Sequence, residues 1–170
     1  CCCCCCCCCC CCCCCCCCCS SSSSGGRNFS CQVLFHPLIW VCFDAALAAM
    51  AEELAADGDR PSTHVADMRD PASIRAMLAS VEETHGRLDL LICNAGVMSF
   101  GPFADHAPED IDWLLEVNLS GLVHCCHASV PLLRRSGGGH IVLMSSMNGL
   151  FGVPTSLLYS TTKWGVRGFG

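Results

Sequence analysis

The sequence has no run of basic residues. Lysine and arginine together number 9 against 15 acidic residues, a net charge of −6, which argues against a nucleic-acid partner because such surfaces need clustered positive charge. It also lacks paired cysteine spacing beyond its first residues. Of 24 cysteines, 19 are consecutive at the start; the other five are Cys31, Cys42, Cys93, Cys125 and Cys126. Their spacing excludes a disulfide framework and fits a reduced, cytoplasmic setting. A secretory signal would need a charged start and a cleavage region, and neither is visible. No methionine opens the chain, so a fragment or a faulty gene model is expected.

Nineteen Cys followed by five Ser, residues 1–24, form a low-complexity tract that cannot specify a core. It contains C-x-x-C at every offset, so that match says nothing about zinc. By length and hydropathy it passes for a membrane span, but a translated repeat is the simpler reading. The 53% apolar content is inflated by it. Residues 1–30 are therefore expected to be a disordered tract and linker, and 31–170 a single domain.

From Cys31 onward short apolar runs alternate with helical stretches. Pro37 splits the first run, because proline cannot donate to a ladder, and leaves Leu38 to Phe43 as a strand. Ala45 to Ala56 reads as a helix by composition, closed at Asp57-Gly58-Asp59. Thr63 to Ala66 is a short strand. Asp70 then caps a helix that starts at Pro71, carries Ile74, Met77, Leu78 and Val81 at helical spacing, and ends before Gly86. Leu88 to Cys93 is a buried strand leading into Asn94-Ala95-Gly96. Pro108 to Leu115 and Leu119 to Arg135 read as helices with Asn118 between them. Gly137 to Gly139 break the chain before a strand from His140 to Ser145. A last helix includes Tyr159 to Phe169. This order predicts an α/β fold, a Rossmann-like parallel sheet with flanking helices. Ligands of such sheets sit beyond the carboxyl ends of the strands, where Asp67, Asn94 and Ser146 fall.

The chemistry concentrates between His140 and Gly170. The strand there ends in Ser145-Ser146. Tyr159 follows thirteen residues after Ser146, and Lys163 four residues later, on the same helical face. An ammonium beside a phenol favours phenolate and draws the Tyr pKa down from about 10 toward the range of a working proton donor and acceptor. Taken alone, the Tyr–Lys pair also reads as a surface Tyr leaning on a Lys stem.

Taken with Asp67-x-x-Asp70, Asn94-Ala95-Gly96 and Val117-Asn118, the Ser146, Tyr159, Lys163 set resembles the short-chain dehydrogenase/reductase family over roughly residues 38 to 170. The resemblance implies an NAD- or NADP-dependent oxidoreductase acting on a small-molecule alcohol or carbonyl. It assigns proton transfer to Tyr159 and ribose binding with activation of Tyr159 to Lys163. It gives Ser146, rather than Ser145, the substrate oxygen, and Asn118 an ordered water leading to Lys163. Asp67 would bond the adenine, and Asn94, Ala95 and Gly96 would border the cofactor. The family's Thr-Gly-x-x-x-Gly-x-Gly turn, which cradles the pyrophosphate, is missing, and so is the C-terminal third. An incomplete copy is therefore expected, with Val33 to Phe35 or another chain filling the gap beside the sheet. The rival reading is a non-catalytic remnant that pairs with a full-length relative, or a product with no stable fold.

Several residues carry two readings. Asp44 suits an adenosine ribose or a helix N-cap equally. His124-Cys125-Cys126-His127 cannot converge on one ion, because successive helical residues rotate by about 100°, so no metal site is assigned. The stripe Leu122, Val123, Cys126 and Val130 suits packing on the sheet first and a homo-oligomer second. Leu150, Phe151, Leu157 and Leu158 suggest an apolar substrate, or core.

Overall fold

The computed structural model describes residues 31–35 and 39–43 by their backbone, and residues 62–170 in full. The Cys/Ser tract, Asp44 and the helix expected over Ala45 to Ala56 lie outside the described residues.

Strands β1 (Cys31–Phe35), β2 (Ile39–Phe43) and β3 (Ser62–Ala66) form one sheet in the order β2-β1-β3. Helix α1 (Pro71–His85) follows, then β4 (Leu90–Cys93), α2 (Pro108–Leu115), α3 (Leu122–Arg135), β5 (His140–Leu143) and α4 (Leu157–Phe169). β4 and β5 pair in parallel, with Leu91 opposite Ile141 and Cys93 opposite Leu143. The crossover between them carries α3, as a parallel pair requires. β1, by contrast, pairs antiparallel to both β2 and β3. Only residues 36–38 separate β1 from β2, and a parallel connection needs a dozen residues or more, so the link imposes a hairpin. β1, which includes Val33 to Phe35, thus lies between β2 and β3, and β2 lies alongside β4.

Helix α1 is built by local signals. The Asp70 carboxylate accepts from the Ala72 amide at 2.8 Å, and Pro71 occupies the first turn. Gly86 closes the helix in the left-handed region, φ 70°, with its amide on the Glu82 carbonyl at 2.8 Å. Ile74, Met77, Leu78 and Val81 are buried. Ile74 and Val81 are wholly so, each contributing about 1.5–3 kcal/mol relative to exposure. They pack with Leu122, Cys126, Leu132 and Leu133 of α3 into one core. Of the α3 stripe, Leu122 and Cys126 are buried and Val123 and Val130 half-buried, while His124 and His127 are exposed and Cys125 is buried.

Asn118 does not interrupt its helix. Residues Glu116–Gly121 form a π-helical segment that runs without a break from α2 into α3. Wider turns of this kind often mark functional positions. The segment also sits against the end of β3: a Cβ on Gly121 would collide with the Met68 carbonyl. Only glycine fits there, so the turn after β3 and the turn after β4 reach the same helix. No described helix is long and apolar enough to cross a membrane.

Candidate active site

Asn118 is fully buried. The Val97 amide donates to its Oδ1 at 2.7 Å, and its Nδ2 donates to the Val97 carbonyl at 2.8 Å. Nδ2 also reaches Thr162 Oγ1 at 3.1 Å. The Thr162 hydroxyl in turn donates to the Tyr159 carbonyl at 2.8 Å. One carboxamide thereby joins the loop after β4 to α4, and every buried polar atom in the chain of contacts has a partner.

Lys163 is 4% exposed. Its ammonium donates to the Met144 carbonyl at 2.8 Å, and its own carbonyl accepts from Ser145 Oγ at 3.0 Å. The end of β5 is thus held at both ends of the lysine residue. Nζ lies 5.6 Å from the centroid of the Tyr159 ring. Tyr159 is the chain's single tyrosine and Lys163 its single lysine. The two stand one turn apart on α4, as their spacing predicts.

Gly96 completes this group. A Cβ there would stand 3.4 Å from Asn118 Oδ1 and 3.6 Å from Lys163 Nζ. Gly96, Asn118, Lys163 and Tyr159 therefore meet at one locus. Asn94 and Ala95 are half-buried just before it.

Ser146 is extended and caps the 3-10 turn Met147–Gly149, its Oγ accepting from the Asn148 amide at 3.3 Å. Asn148 Nδ2 donates to Ser156 Oγ at 3.1 Å, and Ser160 Oγ donates to the Ser156 carbonyl at 2.8 Å. Ser146 is tied in this way to the first turn of α4, which carries Tyr159. A Cβ on Gly149 would strike Ser145 Oγ and lie 2.8 Å from the Lys163 carbonyl, so the turn needs glycine for close approach.

Asp67 follows the last residue of β3. Arg69 grips it: Nε to Oδ1 at 3.0 Å and Nη2 to Oδ2 at 2.7 Å. Those hydrogen bonds hold its carboxyl below the usual carboxylate range. Sequence reasoning passed over Val97, Thr162 and Arg69, and set Ser145 aside in favour of Ser146. Only Arg69 had a local signal, its place inside the Asp67-x-x-Asp70 turn. The others act through contacts 18 to 44 residues apart in sequence.

The model of the short chain dehydrogenase family matches residues 39–170. The chain belongs to the short-chain dehydrogenase family. It is 35% identical over 132 residues to oxidoreductase UcpA of Escherichia coli (strain K12), a match covering 77% of this chain and 50% of the relative. Among solved structures it is similar to a metagenomic short-chain oxidoreductase in complex with NADP, at 34% identity and TM-score 0.68, covering 72% of this chain and 56% of that one. It is also similar to a short-chain dehydrogenase/reductase from Burkholderia phymatum in complex with NAD, at 28% identity and TM-score 0.66, covering 73% and 44%. The chain spans about half the length of the curated relatives it matches. The matched span agrees with the resemblance read from residues 38 to 170, and these neighbours have the Rossmann-like architecture expected of it.

Proposed function

We propose that this chain carries the reacting half of an NAD- or NADP-dependent oxidoreductase that interconverts an alcohol and a carbonyl. One observation carries the reading: a buried ammonium, Lys163, lies 5.6 Å from the centroid of the only phenol in the chain, beside a glycine with no side chain to fill the space. A fixed positive charge there stabilises negative charge developing on the phenol oxygen. Tyr159 moves the proton to or from the substrate oxygen, and Ser146 holds that oxygen. Asn118 keeps one lone pair of Oδ1 beyond the Val97 bond, which suits an ordered water on the way to Lys163.

The residues fit a nicotinamide cofactor at its reactive end. Gly96 and Lys163 stand together and would hold the ribose, with Asn94 and Ala95 bordering it. Asp67 would meet the adenine, sharing its carboxylate with Arg69. The bound cofactor supplies or accepts the hydride. The relatives solved with NADP and with NAD support either cofactor.

Apolar side chains are exposed on the segments after Gly96 and after Ser146. Phe100 and Phe103 on one segment, and Leu150, Phe151 and the first residue of α4, Leu157, on the other, are each at least half exposed. The two segments are joined by the Gly101 amide on the Thr155 carbonyl at 2.9 Å. Leu158 is instead part of the core. This supports an apolar alcohol or ketone as substrate.

Tyr159→Phe tests the proposal. With an apolar ketone and NADPH or NADH followed at 340 nm, turnover falls by about 10²–10⁴-fold, while circular dichroism stays unchanged. Undiminished turnover in that variant refutes the role of the phenol.

A further inference from the structure

The Tyr–Lys site makes no use of the three cysteines behind it. Cys93 is the last residue of β4, immediately before Asn94. Cys125 and Cys126 lie in the first turns of α3, which continues directly from the Asn118 segment. All three are free and buried. Cys93 Sγ lies 3.7 Å from Cys126 Sγ. The backbone on the α3 side is held in place by Ser129, whose hydroxyl donates to the Cys126 carbonyl at 2.9 Å. A small apolar cavity opens beside the cluster, lined by Cys93, Cys125, Met68, Met77, Ala95 and Leu122.

We propose that Cys93 and Cys126 form an oxidative modification site, in which a small hydroperoxide converts the dithiol into a disulfide joining β4 to α3. The cavity is lined by Cys93 and not by Cys126, whose sulfur lies 3.7 Å from that of Cys93. The two thiols differ in character. Hydrogen bonds to Cys125 and Cys126, with burial, push the Cys93 thiol up, so it stays protonated. The hydrogen bond from Cys93 pulls the Cys126 thiol down, which gives Cys126 the larger thiolate share of the pair.

The Cys126 sulfur attacks one peroxide oxygen. The O–O bond breaks, an S–O bond forms, and the departing oxygen leaves with the thiol proton as water. The Cys93 sulfur then attacks the sulfenic sulfur of Cys126. The S–S bond forms, the S–O bond breaks, and the hydroxyl leaves with the Cys93 proton as a second water. Two electrons pass from the thiols to the peroxide. A disulfide needs about 2.05 Å between sulfurs, so the pair must close by roughly 1.7 Å from its 3.7 Å separation. The new bond would tie the strand that leads into Asn94-Ala95-Gly96 to the helix that carries Asn118.

Peptide mapping of the native 170-residue chain tests this without any assay of activity. The chain is treated with hydrogen peroxide, its remaining thiols are blocked with N-ethylmaleimide, and it is cleaved at Arg and Glu. Cleavage at Glu116 puts Cys93 and Cys126 on separate peptides. The expected product is a cross-link between them that dithiothreitol releases. It persists in Cys125→Ser and is lost in Cys126→Ser. In Cys93→Ser, Cys126 runs on to the sulfinic or sulfonic acid. Wild-type chain alone suffices if a variant does not fold. A cross-link to Cys125, or Cys93 and Cys126 recovered unoxidised at doses that oxidise the cysteines of residues 1–19, overturns the proposal.

Discussion

Asn118 and Val97 exchange two hydrogen bonds in opposite directions, 2.7 Å into Oδ1 and 2.8 Å out of Nδ2. A side-chain amide here imitates a strand neighbour and satisfies both backbone groups of a buried loop residue. Asn118→Leu removes both partners and leaves the Val97 amide and carbonyl buried and unpaired, at about 1–3 kcal/mol for each group. A loss of roughly 2–6 kcal/mol in urea unfolding is expected. A change below about 0.5 kcal/mol, the range of an ordinary surface substitution, would contradict the finding that this pair holds the loop.

Two glycines on the same helix–loop junction predict opposite outcomes. Gly121→Ala drives a methyl group into the Met68 carbonyl, which is backbone and moves only with the turn after β3. About 1–3 kcal/mol of destabilisation follows. Gly96→Ala meets Asn118 and Lys163 only at ordinary contact distances, 3.4 and 3.6 Å. It keeps the fold and fills the space proposed for the ribose. Thermal melts should separate the two; equal midpoints would count against this packing.

Neighbouring serines divide their duties. Ser145 Oγ donates to the Lys163 carbonyl at 3.0 Å, so Ser145→Ala costs about 0.5–1.5 kcal/mol of stability. Ser146 is proposed to hold the substrate oxygen, so Ser146→Ala lowers turnover more than stability. The check is a paired measurement of melting and turnover on both variants. The reverse pattern would exchange the two roles.

The Asp67–Arg69 pair gives a pH dependence of known sign. Its hydrogen bonds lower the Asp67 pKa in the folded chain. The stabilisation is therefore present above the unfolded value near 3.9, and it is lost as pH falls through the lower folded value. The side chains are 34% and 31% exposed, so solvent screening keeps the effect within about 1 kcal/mol. Arg69→Gln should lower stability at pH 7 by that small amount and leave it unchanged near pH 2. A difference that persists undiminished at pH 2 would show that the pair is not its source.

Local relationships were legible in the sequence. Helix α1 could be drawn from Asp70, Pro71, its four apolar positions and Gly86, because caps and helical spacing act within a few residues. The Tyr159–Lys163 face followed from the i,i+4 rule, and the strands before Asn94 and Ser145 followed from short apolar runs. The set of four motifs was enough to place the chain in its family.

Other features depend on segments far apart in the chain, and only the packed structure decided them. The sequence could not show that Asn118 lies inside a continuous helix rather than at a break, because a buried carboxamide is favoured there only once Val97 and Thr162 surround it. Nor could it show that the Lys163 ammonium rests on the Met144 carbonyl, or that Cys93 faces Cys126 across a strand and a helix. Spacing constrains neighbours on one helix, but contacts between elements are set by which faces bury against each other.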